Sequence, residues 1–97
     1  MAPPIRRLIL DVMKPHEPDI IEFAEVVAGC TGVSGVNVAL VETDRVVQNL
    51  KLTIEGDAID AATIEGAITD LGGTVHSIDG VACGERLVDE RDTPQDN

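Results

Sequence analysis

Leu8-Ile9-Leu10-Asp11-Val12-Met13-Lys14-Pro15-His16-Glu17-Pro18 is the stretch whose reading decides the fold. Its first part alternates. Leu8, Leu10 and Val12 fall on one face of an extended chain, and Arg7, Ile9, Asp11 and Met13 fall on the other. That period of two predicts a strand over residues 5–13, with one acid set among apolar neighbours. Pro15 removes a backbone donor and holds Lys14 away from helical angles, so the strand is expected to stop there. Pro18 suits the first position of a helix, with Asp19 and Glu22 near its positive end.

Downstream, Ile20, Phe23, Ala24 and Val27 make an i, i+3, i+4, i+7 stripe, which predicts a helix through about residue 29. Gly29 and Gly32 flank its end, and Gly32 is free to take the left-handed cap conformation. A second strand follows with Val36, Val38 and Leu40 on one side and Asn37, Ala39 and Val41 on the other. Glu42-Thr43-Asp44-Arg45 reads as a polar hairpin connection. A third strand spans about 47–55, with Leu50, Leu52 and Ile54 alternating against Asn49, Lys51, Thr53 and Glu55. Asp57 or Asp60 caps a second helix striped by Ala61, Ile64, Ala67, Ile68 and Leu71. Gly72-Gly73 ends it, and a fourth strand runs from Thr74 to about Gly84, broken near Gly80.

The order is β-α-β-β-α-β. Right-handed crossovers with both helices on one face give an α+β, ferredoxin-like sandwich whose antiparallel sheet has the order 4-1-3-2. The 97 residues suffice for one domain, 1–97, with a core of about 5–84 and a charged C-terminal arm over 85–97. That arm is either frayed or ordered only against a neighbour.

Composition narrows the function classes. The chain is 43% hydrophobic yet has one Phe and neither Trp nor Tyr, so the core must be aliphatic. Eighteen acids oppose seven bases, giving a net charge of −11, and only Lys14 and Lys51 are lysines. Such a surface repels itself in dilute buffer, and molar salt screens the repulsion within ~3 Å. An acidic, lysine-poor surface on an ordinary aliphatic core is the pattern of a halophilic protein in a salt-rich cytoplasm. No basic stripe is present to neutralise phosphates, which argues against nucleic acid. Cys30 and Cys83 form no C-x-x-C pattern, so they read as two small buried hydrophobes. With no signal peptide and no apolar run of ~18 residues, the expectation is a soluble cytoplasmic protein without a membrane partner.

Leu10-Asp11-Val12-Met13-Lys14-Pro15-His16-Glu17-Pro18 resembles the opening signature of the small archaeal proteins of domain-of-unknown-function family 211. The likeness continues in Gly32-Val33-Ser34-Gly35-Val36-Asn37, in Glu42-Thr43-Asp44, in Gly72-Gly73-Thr74-Val75-His76-Ser77-Ile78-Asp79 and in Thr93-Pro94-Gln95-Asp96. It implies a ferredoxin-like fold and a multi-subunit ring or similar assembly, and it supplies no activity. Gly80 departs from the pattern, which has an acid after Asp79.

In a 4-1-3-2 sheet the end of the first strand approaches the start of the fourth. Asp11, Lys14, His16 and Glu17 are thereby expected near His76, with Asp79 farther along the same edge. Two imidazoles and two or three carboxylates suit a divalent metal: Ca²⁺, Mg²⁺ or a transition metal. Glu42 and Asp44, at the same end of the sheet, make a second hard-cation candidate. Each residue also has a plainer role. Asp11 can pair with Lys51, His16 and Glu17 can be a solvated turn, His76 can be a hydrogen-bonded edge residue, and Asp79 can be a bulge or turn residue. Glu42 and Asp44 can be a solvated hairpin.

No serine or cysteine has a base at a recognisable spacing, and no glycine-rich phosphate loop precedes a helix, so an enzyme is not expected. The expected function is a homo-oligomeric binding or sensing module with a divalent cation as candidate ligand. The alternatives are a regulatory domain binding a small metabolite on the open sheet face and a purely structural assembly protein.

Overall fold

The computed structural model describes residues 2–89. Its elements follow in the expected order: β1 (Ile5–Pro15), α1 (Ile20–Ala28), β2 (Val33–Thr43), β3 (Val47–Gly56), α2 (Ala61–Asp70) and β4 (Thr74–Cys83). The strands form one antiparallel sheet of order β2-β3-β1-β4, so β1 and β3 are central and β2 and β4 are edges. Both helices lie on one face, α1 against β2 and α2 against β4, in a ferredoxin-like α+β fold. The expected arm over 85–97 falls partly outside the described residues, from 90 onward.

The core follows from the period-two and helical stripes. Leu8, Leu10 and Val12 of β1 and Leu50, Leu52 and Ile54 of β3 point toward the helices, where Phe23, Val27, Ile64 and Ile68 close over them. Each such side chain contributes about 1.5–3 kcal/mol by leaving water. Because the central strands are covered on one side only, the opposite face of the sheet stays open.

Three local features differ from the sequence expectation. β1 continues through Pro15 instead of stopping at Lys14, because Lys14 and Pro15 still pair with Gln48 and Val47. Pro18 is not the first helical residue: Asp19 is the N-cap, and its carboxylate accepts a hydrogen bond from the Glu22 amide at 2.9 Å. Gly32 does adopt a left-handed conformation, φ +87°, but three residues beyond the Gly29 cap, in the turn into β2. There its backbone passes so close to that of Ala58 that a Cβ would sit 2.1 Å from the Ala58 carbonyl oxygen. Of the two candidate caps for α2, Asp60 is used, accepting from the amides of Ala62 and Thr63. Among the described residues, no helix is long and apolar enough to cross a membrane.

Candidate functional site at the β1 exit

By parity Lys14 belongs with Leu8, Leu10 and Val12, and it follows them into the helix-facing side of the sheet. It is the one buried charged residue among those described, 1% exposed. Its ammonium donates to the carbonyls of Pro15 (2.7 Å), His16 (3.4 Å) and Pro18. Three donors thus meet three backbone acceptors of the β1–α1 connection. Burial pushes the Lys14 pKa down from its ordinary value, and the nearby Asp19 and Glu17 carboxylates offset part of that shift. Gln48 lies directly across on β3, with a buried Oε1 that has no partner among the described residues. Among the described residues, this corner is the polar spot of an otherwise apolar core.

Pinned in this way, the connection presents His16 to the β2–β3 turn. His16 Nε2 donates to the Asp44 carbonyl at 2.6 Å. Asp44 organises the turn itself: its Oδ1 accepts from the amides of Val46 and Val47, both at 2.8 Å, and its own amide donates to the Val47 carbonyl. Those amides, with the His16 ring as a lesser influence, hold the Asp44 carboxyl below its ordinary pKa. A carboxylate whose folded pKa is depressed adds stability above its ordinary pKa of 3.8, and that contribution is lost as pH falls through the lowered value. Asp44→Asn, which keeps an acceptor oxygen for the two amides, is therefore expected to flatten the loss of stability below pH 3.8. Asp44→Ala is expected to lower the melting temperature at pH 7 as well. Thermal unfolding followed across pH 2–7 checks both.

The turn carries a polar hollow of about 200 Å³ lined by Glu42, Thr43, Asp44, Val47 and Asn49. Beside it an apolar cleft of about 390 Å³ runs between the end of β1 and the starts of β3 and β4, past Met13, Val46 and Thr74. The candidate ligands divide between two places. His16 is brought to Asp44, on the β3 side of β1. His76 is exposed on β4, on the other side of β1, so the two imidazoles are not drawn to one rim. Glu17 is exposed in the pinned connection. Lys14 turns inward and does not join either group.

Asp11 sits mid-strand on the open face, directly across from Lys51 on β3 and from Ser77 on β4. Ser77 Oγ donates to Asp79 Oδ1 at 2.7 Å, so Asp79 leans toward the same face. His76 and Asp79 are both bulge residues: the β1–β4 register slips once between Val75 and Ser77 and again between Ile78 and Gly80. Each bulge inserts an unpaired residue and re-aims its side chain. No three His, Cys, Asp or Glu side chains among the described residues converge as a metal-holding group. At most two such side chains stand together at any one place among the described residues.

Charge is sorted between the two layers. The four strands carry four bases (Arg6, Arg7, Lys14, Lys51) and four acids (Asp11, Glu42, Glu55, Asp79). Pairing tightens that balance: Arg7 Nε meets Glu55 Oε2 at 2.9 Å across the β1–β3 register. The helices and their flanking connections, residues 16–32 and 57–73, hold eight acids and no Lys or Arg. Sequence reasoning found the net charge. It missed this sorting, which becomes visible only when each segment is assigned to its layer.

The sequence model of the family DUF211, described as uncharacterized ArCR, matches residues 6–97. An uncharacterized protein of Methanocaldococcus jannaschii, MJ0319, is 45% identical over 92 residues, which cover 95% of each chain. On both grounds the chain belongs to the uncharacterized family DUF211.

Proposed function

We propose that the protein is a homo-oligomeric binding module without catalytic chemistry of its own, and that it takes a divalent cation where copies meet. The sorting of charge carries this reading. A chain of net charge −11 resists association over most of its surface, because each approach of two helix layers opposes acid to acid. The strands are charge-balanced, so contact through the sheet costs the least. A neighbour also supplies what the β2–β3 hollow lacks. Glu42, Thr43, Asp44 and Asn49 give oxygen donors on one side, and a second copy adds more.

Native mass spectrometry of protein purified without chelator tests the reading. The expected spectrum is a multimer carrying a fixed number of divalent ions. Calorimetric titration with Ca²⁺, Mg²⁺, Mn²⁺ and Zn²⁺ in molar KCl should show heat for at least one of them. A multimer without metal and without heat would leave assembly standing and remove the cation. A monomer would remove both.

A further inference from the structure

Sheet edges in proteins are ordinarily guarded by charge, proline or irregularity, because an unpaired row of N–H and C=O groups recruits other strands. Here the two edges differ. β4 is doubly bulged, at His76 and Asp79, and carries an acid. β2 is bulged too, at Ser34 and Val41, but those bulges bracket a run from Gly35 to Leu40 that pairs with β3 without interruption. Its outer row over that run is regular, whereas the β4 bulges leave only Ser77 and Ile78 between them. Val33–Val41 contains no charged residue and no proline, in a chain where more than one residue in four is charged. Its open-face side chains, Asn37 and Ala39, are small, with Gly35 beside them. Its helix-side chains are Val36, Val38 and Leu40, and Leu40 is left 44% exposed at the outer end.

We infer that the β2 edge is the self-association surface, and that a second copy of this chain adds its own β2 there, antiparallel about a two-fold axis. The inference rests on the homo-oligomeric reading above and names its contact. Centring the pair on Val38 sets Leu40 opposite Val36 of the second copy, and Asn37 opposite Ala39. Both sides of the junction then match, apolar against apolar toward the helices and small against small on the open face. The two sheets join into one of eight strands. Charge selects the occupant. A second copy brings an edge that is equally neutral, whereas a basic partner would find nothing on β2 to recognise.

The same geometry sets the salt dependence. α1 lies over β2 and carries the exposed acids Glu22 and Glu25 with no base, so joining two β2 edges sets two acidic helices side by side. The screening length falls from ~10 Å at 0.1 M to ~3 Å at 1 M salt, so association tightens as KCl is raised.

Sedimentation velocity in 0.1 and 1 M KCl, with far-UV circular dichroism to confirm folding, tests the contact. Ala39→Glu places an acid within the neutral edge. Val41→Lys places a charge on a bulge residue outside the inner ladder, and it serves if Ala39→Glu fails to fold. Ile78→Glu makes the equivalent change on β4, where Ile78 is 63% exposed. In 1 M KCl the wild type and Ile78→Glu are expected to sediment as the same multimer. The β2 variants should have half that mass or less. If the β2 variants keep the wild-type mass, or if the β4 variant dissociates equally, the two-fold β2 contact is overturned while assembly stands. A wild type that stays at 10.2 kDa at both salt concentrations overturns the homo-oligomeric reading with it.

Discussion

Lys14→Met is expected to destabilise the protein by about 3 kcal/mol, a fall of roughly 12–24 °C in melting temperature for a domain of this size. Methionine keeps the length and the apolar stem, so packing against the core survives and the loss is confined to the ammonium. Three carbonyls lose a charged donor, and bonds of that kind are worth roughly 1.5–3 kcal/mol each. The total stays below their sum for two reasons. Pro15 and His16 are exposed, so water reaches part of the freed connection, and removing a buried charge returns its desolvation cost. The pH dependence separates these terms. Burial lowers the folded pKa of Lys14 below its ordinary 10.5, so between those two values the unfolded chain binds more protons than the folded one. Wild-type stability therefore rises with pH across that window, and Lys14→Met lacks the rise. Thermal melts of both proteins from pH 7 to 10.5 check the size and the sign. The variant should also free His16 from Asp44, because the connection that aims the ring is no longer held.

Gly56→Ala is expected to cost about 3 kcal/mol or more. A Cβ at Gly56 would lie 1.8 Å from the Gly32 carbonyl oxygen and 2.9 Å from its carbonyl carbon. Overpacking of a side-chain cavity typically costs about 1–3 kcal/mol, because neighbouring side chains turn aside. Here the obstacle is backbone, and Gly32 is itself pressed against Ala58, so no side-chain rotation relieves the contact. The end of β3, the turn into β2 and the turn before α2 meet at this point, and the substitution forces all three apart. Gly35→Ala on the β2 edge is the matched comparison, since a Cβ there meets nothing within 4 Å. Chemical denaturation of the two variants should separate them clearly, with Gly35→Ala near wild type.

The fold was legible because its signals are periodic. Leu8, Leu10 and Val12 repeat every second residue, and the Phe23 and Ile64 stripes repeat at helical spacing. Glycines fall where each helix ends. Chain order with right-handed crossovers then leaves one sheet, 4-1-3-2, which is the observed β2-β3-β1-β4 read from the other edge. What escaped was whatever breaks a period or depends on backbone acceptors. Lys14 continues the buried parity of β1, but a lysine is ordinarily placed in water. Only the three carbonyls of the following connection make its burial affordable, and a sequence does not display carbonyls. The bulge at Asp79 was among the roles expected for that residue beside Gly80, whereas the one at His76 carries no residue signature. Of the candidate ligands, Glu42 and Asp44 were placed at the same end of the sheet as the exit of β1, and there His16 meets Asp44. The turn of His16 toward β3, away from His76, depended on how the pinned connection closes over Lys14.

The most direct test of self-association through a neutral edge is amide hydrogen exchange as a function of protein concentration, in 1 M KCl. Amides along the outer row of an unpaired edge strand exchange readily, and pairing with a second strand protects them. Protection within Val33–Val41 should rise with concentration while exchange along β4 stays constant. Exchange in Val33–Val41 that is independent of concentration, in samples that sediment as multimers, would contradict the account.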